Sequence, residues 1–203
     1  MTFDNSKIAG TLLLVGGVQF VIALIIAEAI YPNYSTSANY ISDLGVWSKP
    51  SAVIFNPSII LLGAATLASS YFIKKQFNLG KIAYMFALAG AGTTGVGIFP
   101  EDTFLVDGIP VIHAIAAILA FVIGGIAAVA AYKYTKSPFK IVSVILGVAT
   151  LIAAVLFFST RGFGYLGLGV GGMERMMAYP TLLWIIGLGG YLLGTYNGKI
   201  GTT

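Results

Sequence analysis

The chain has 203 residues, 58% of them hydrophobic and 9% charged, with a mean hydropathy of +0.93. Water-soluble domains carry roughly a quarter charged residues, so this composition excludes one and points to an integral membrane protein. The absence of cysteine rules out disulfides and thiolate metal sites. The net charge of +4 reads as a topology signal, and nucleic acid is not an expected partner.

Continuous apolar runs long enough for a hydrocarbon layer of about 30 Å lie at Ile8 to Ile30, Ser51 to Ile73, Ile82 to Phe99, Ile109 to Tyr132, Ile141 to Ser159 and Tyr179 to Tyr196. The expected fold is all-α: one polytopic domain over residues 1–203, built as a single bundle of six transmembrane helices. A β-barrel would show short alternating segments, and these runs are continuous. The first run is too long for the apolar region of a signal peptide and its end offers a poor cleavage site, so it is read as helix one.

Lys7, Lys74, Lys75, Lys81, Lys133, Lys136, Lys140 and Lys199 fall on one side of the bundle, while Lys49, Arg161 and Arg175 fall on the other. Eight cations against three put the first group, and with it both termini, in the cytoplasm of a cell-membrane protein. Acids run the other way: Asp4 alone is inside, whereas Glu28, Asp43, Glu101, Asp102, Asp107 and Glu174 sit at or beyond the outer helix ends.

The inner connections are short and lysine-rich, able to touch anionic lipid. The first and third outer loops, at about residues 31–50 and 160–178, are long enough to fold over the bundle mouth. The third is dense in glycine and is expected to be a cover or a plain connector. Pro50, Pro110 and Pro180 are placed in the first turns of helices two, four and six. Small residues such as Gly16-Gly17, Gly90, Gly92, Gly124-Gly125 and Gly189-Gly190 are read as packing seams. Gly95-Val96-Gly97 lies inside a span and is not a nucleotide loop.

Polar groups are costly in a bilayer, so their depth is informative. Here the ionisable ones gather at the outer ends, and the inner half holds only groups such as Gln19 and Thr93-Thr94. That disfavours a proton-coupled transporter or channel, which needs polar groups through the whole thickness. His113, the single histidine, suits a proton carrier or a helix contact. There is no zinc or haem motif and no metal site is assigned; Asp43, Asp102 and Glu174 with water leave a divalent cation as the alternative. Ser42-Asp43 with His113 supplies the residue types of a hydrolytic triad without a nucleophile elbow. Arg161 and Arg175 either pair with the acids or grip a phosphate. Asn33-Tyr34-Ser35 matches a glycosylation sequon.

Four segments together resemble the six-helix membrane proteins grouped as domain of unknown function 998. They are Ile41-Ser42-Asp43-Leu44-Gly45 with the following Val53-Ile54-Phe55-Asn56, and Gly97-Ile98-Phe99-Pro100-Glu101-Asp102 with His113 after it, then Gly172-Met173-Glu174-Arg175 with Pro180 and Trp184. The resemblance spans nearly the whole chain and extends to the wider superfamily of glycosylphosphatidylinositol-anchor remodelling proteins and DRAM autophagy modulators. It implies a six-helix fold and carries the motif positions onto Asp43, Asn56, Asp102, His113, Glu174 and Arg175. Glu174 departs from the glutamine expected before the arginine.

Two readings result. In the first, an outward-facing pocket binds or remodels a lipid or lipid-linked headgroup, with Asp43, Asp102 and His113 at the polar centre, Asn56, Arg161, Glu174 and Arg175 binding the substrate, and membrane lipids as partners. In the second, the protein is a non-enzymatic scaffold, a subunit of a membrane complex or a homo-oligomer, and the polar residues tie the hairpins together.

Overall fold

In a computed structural model the chain folds into six long helices, described here over residues 4–194, with the side chains of residues 161–163 outside the description. Helices α1 (Asn5–Ile30), α2 (Ala52–Phe77), α3 (Gly80–Ile98), α4 (Val111–Lys133), α5 (Phe139–Ser159) and α6 (Gly169–Gly194) run in chain order. Each packs against its neighbours in sequence and α6 returns to α1, so the six close into a ring. All but α3 are long and apolar enough to cross a membrane. In α3 the glycines, Lys81 and Thr93-Thr94 dilute the apolar run.

Local chemistry sets the helix ends. Asp4 caps α1 by accepting the Lys7 N–H at 2.8 Å, which satisfies an orphan donor of the first turn. Asn78 ends α2 in the left-handed conformation with φ 55°, one that asparagine tolerates. Within α4 the regular helix gives way to a π turn at Leu119–Ile123, the kind of single-turn bulge that recurs at functional sites.

Helix contacts depend on missing side chains. A Cβ on Gly90 would lie 2.6 Å from the Leu67 nitrogen and 2.9 Å from the Gly63 carbonyl oxygen. The α2–α3 backbones touch there because no side chain separates them. Phe20, Phe55, Phe86 and Trp184 fill the interior, and the Trp184 indole donates to Ser143 Oγ at 3.1 Å.

Three expectations are corrected. The third outer loop is not a long cover: a short 3₁₀ stretch, Arg161–Gly167, leads directly into α6 at Gly169. Consequently Pro180 lies inside α6, with Glu174 and Arg175 a turn or more before it on the same helix. Packing against loop one explains the early start, since the Gly171 N–H donates to the Ser37 carbonyl at 2.9 Å and a Cβ on Gly171 would strike the Asn39 carbonyl. Between α3 and α4 the chain adds a hairpin, β1 (Leu105–Val106) with β2 (Ile109–Pro110), around Asp107 and Gly108 at positive φ. Asp-Gly between apolar residues is the sequence signal for such a turn.

Candidate functional site

Every described acid except Asp4 sits at one end of the ring, the acidic end, and there three separate parts of the chain meet. Loop one contributes a 3₁₀ turn, Ser42–Gly45. The α3–α4 connection contributes Glu101 and the start of α4 contributes His113, while α6 contributes Glu174 and Arg175.

Ser42 links two carboxyls. Its hydroxyl lies 2.5 Å from Glu101 Oε1 and 3.3 Å from Glu174 Oε1. One hydroxyl has one proton to donate, so it serves one carboxylate at a time unless a carboxyl is itself protonated. Glu174 Oε2 also accepts the Ile41 N–H. Glu101 is pushed up to about 7, first by burial and then by the charges of Asp43 and Asp102, against the pull of the Ser42 hydrogen bond. At neutral pH it is therefore poised between its acid and its anion.

His113 completes the chain of groups. The ring lies 2.9 Å, through Nδ1, from the Phe99 carbonyl, which as an acceptor fixes the proton on Nδ1 and leaves the Nε2 lone pair free in the neutral ring. Nε2 stands 3.7 Å from Glu101 Oε1, beyond hydrogen-bond length.

Below these groups lies a cavity of about 80 Å³ inside the ring. Ser42, His113 and Glu174 form its polar end, and Phe20, Phe55 and Leu182 belong to its apolar wall. Tyr179, which also lines it, is 39% exposed, so the cavity approaches the surface there. The outer half of α4 leans on α3 and stands away from α6, while Phe121 of the π turn supplies part of the wall.

Arg175 forms a second, separate cluster. One terminal nitrogen donates to Glu28 Oε1 and to the Tyr34 hydroxyl, both at 2.6 Å. The other reaches the carbonyls of Thr36, Asn39 and Gly171 at 2.9, 3.3 and 3.0 Å. Burial raises the Tyr34 phenol further, so it stays protonated as part of the clasp. Arg175 thus joins α6 to α1 and loop one, and both its terminal nitrogens are committed to protein acceptors. The third guanidinium nitrogen, Nε, is buried without a partner.

The remaining expected site residues have distinct places. Asp43 accepts from Asn39 Nδ2 at 3.2 Å and the Tyr40 N–H at 2.8 Å, closing its own turn, and adds its charge to the field on Glu101. Asp102 is exposed and accepts the Trp47 N–H at 3.0 Å; it is Glu101, not Asp102, that faces His113. Asn56 is buried and donates to the Gly45 carbonyl at 2.8 Å, holding the 3₁₀ turn, while its Oδ1 has no partner. Arg161 lies outside the described side chains. Among the described residues no three His, Asp or Glu side chains group as metal ligands, so Asp43, Asp102 and Glu174 are not assembled into a cation site.

A family described as protein of unknown function, DUF998, matches residues 14–191. The chain belongs to this family. That span of DUF998 holds both polar clusters and the cavity, and with its apolar helices the DUF998 chain is a membrane protein of unknown activity. No curated protein and no solved structure matches this DUF998 chain. Glu101, Ser42, Glu28 and Tyr34 join the expected set; Glu101 and Ser42 stand within the matching segments, whereas Glu28 and Tyr34 carry no sequence signal beyond being polar at a helix end.

Proposed function

We propose that this DUF998 protein spans the cell membrane six times with its termini in the cytoplasm and binds a lipid or lipid-linked molecule by its headgroup at the acidic end. The orientation rests on the lysine distribution. The binding reading rests on one observation: a cavity with largely apolar walls has Ser42 and its ionisable groups His113 and Glu174 at the acidic end, while the Thr93 and Thr181 hydroxyls in its wall are bonded to backbone carbonyls. Such a division suits an amphiphile, with the chain against the wall and the head against the polar groups.

The charge of that end narrows the class. Carboxyls dominate, and the terminal nitrogens of Arg175 are already paired, so an anionic head would meet repulsion. A neutral hydroxyl or amine head fits better. It can donate to the His113 lone pair and to a carboxylate, both acceptors. The reading is one of binding alone: the Ser42 hydroxyl is engaged with Glu101 and Glu174, and no nucleophile stands at hydrogen-bond distance from His113 Nε2.

The scaffold reading applies to the other cluster. Arg175, Glu28 and Tyr34 form a bonded set that ties α1, loop one and α6 together. A thermal-shift series in detergent tests the binding reading with three probes of equal chain length: monoolein, oleylamine and oleic acid. Stabilisation by monoolein or oleylamine that is lost in His113→Gln supports it. No stabilisation by either, or preference for oleic acid, overturns it.

A further inference from the structure

At the opposite, lysine-rich end a different surface feature stands out. An open groove of about 630 Å³ runs along the outside of the ring where α3, the inner half of α4 and α5 adjoin. Met85, Ile126, Val129, Val144 and Leu151 line it, and Lys81 and Lys133 stand at its mouth, in the first turn of α3 and at the last residue of α4. This groove is remote from the acidic cluster and shares no lining residue with the cavity there.

The lysines of this end fall into two sets. Lys74, Lys75 and Lys140 each lie over a tyrosine ring, at 5.3, 5.8 and 4.1 Å from Tyr84, Tyr71 and Tyr132. Lys81, Lys133 and Lys136 have neither an ion pair nor an aromatic partner among the described residues, and of these Lys81 and Lys133 line the groove. Asp4, the one described acid at that end, is occupied in capping α1. Two free ammonium groups therefore head an apolar groove on the membrane-facing surface, with the polar shelf of Lys136, Ser137 and Lys140 beside Lys133.

We propose that this groove holds one anionic phospholipid, its phosphate between Lys81 and Lys133 and an acyl chain along the α3–α4–α5 groove. Charge complementarity selects the anionic head, and apolar lining at bilayer depth selects a lipid over a free phosphate compound. The glycines of α3 seat it closely against both α2, at Gly90 and Gly97, and α4, at Gly92.

Native mass spectrometry of the full chain in detergent with an equal mixture of dioleoylphosphatidylglycerol and dioleoylphosphatidylcholine tests this. The expected result is retention of phosphatidylglycerol in preference to phosphatidylcholine. K81Q with K133Q should cut that preference by up to about thirtyfold, as removal of two surface lysines implies. K74Q with K75Q removes equal charge at the same end and should change it much less, because neither lysine lines the groove. Ile126→Trp, on a 37% exposed position within the groove, should lower retention of phosphatidylglycerol while both lysines remain. Equal losses in the two lysine pairs would reduce the effect to general surface charge and overturn the site. Displacement of the lipid by millimolar glycerol phosphate, or indifference to Ile126→Trp, would show a free-phosphate site and overturn the lipid occupant.

Discussion

Glu101 and His113 face each other at 3.7 Å because the short hairpin of β1 and β2 folds the end of α3 back onto the start of α4. The carboxyl is held on its other side by Ser42, so three chain segments converge on one proton-poised group.

Stability should depend on pH through this carboxyl. Its folded-state value of about 7 exceeds the ordinary carboxylate value of 4.5, so between those limits the folded chain binds more protons than the unfolded one. Stability is then greatest below about pH 4.5 and is lost as pH rises through 7, by up to about 3 kcal/mol. Melting temperature in detergent should fall from pH 5 to pH 8 in the parent, and the slope should flatten in Glu101→Gln. A slope unchanged by Glu101→Gln would assign it to another group.

Arg175→Met should be among the most damaging single changes, costing about 3 to 5 kcal/mol, because Glu28 and the carbonyls of loop one lose their donor together. Combining it with Glu28→Gln should cost less than the sum of the two single losses, since the stranded charge is removed. Melting curves of the four chains measure this coupling; strict additivity would mean that the 2.6 Å contact carries no net energy.

Gly45→Ala should destabilise by about 1 to 3 kcal/mol, the ordinary range for overpacking. The new methyl would lie 2.5 Å from Asn56 Oδ1 and 3.0 Å from the Phe55 ring, so the 3₁₀ turn carrying Ser42 must shift. The same change should lower binding of monoolein or oleylamine, if either is bound, by moving Ser42. A parent-like melting temperature would show that the turn adjusts freely.

Ala117→Trp, one turn after His113 in the cavity wall, should fill the acidic-end cavity while every polar group of the site is kept. Ligand-induced stabilisation should disappear while the pH slope set by Glu101 survives. Loss of both would mean that the substitution disturbs the whole end of the ring.

Sidedness can be read with single cysteines, because the parent has none. A cysteine at Lys136 should be protected from an impermeant thiol reagent in intact cells, and one at exposed Thr36 should react. The reverse pattern would invert the orientation drawn from the lysines.

Much of this architecture is legible in the sequence because hydropathy is a local, additive property. Each apolar run marks a helix, and the separation of acids from lysines follows from counting. The gathering of loop one, the α3–α4 connection and the Glu174-Arg175 pair at one end follows from their alternation along the chain. The identity of the group facing His113 does not. Glu101 and Asp102 are adjacent and chemically alike, and the turn geometry after α3 directs one inward to Ser42 and the other outward to Trp47. The start of α6 is hidden for a related reason: glycine disfavours a helix locally, and contact with loop one at Gly171 supplies what propensity lacks. Which neighbours Arg175 meets was decided only by tertiary structure. A guanidinium at a helix end offers the same donors to any acceptor, and the acceptors it meets come from Glu28, Tyr34 and the loop-one carbonyls, all more than a hundred residues away in sequence.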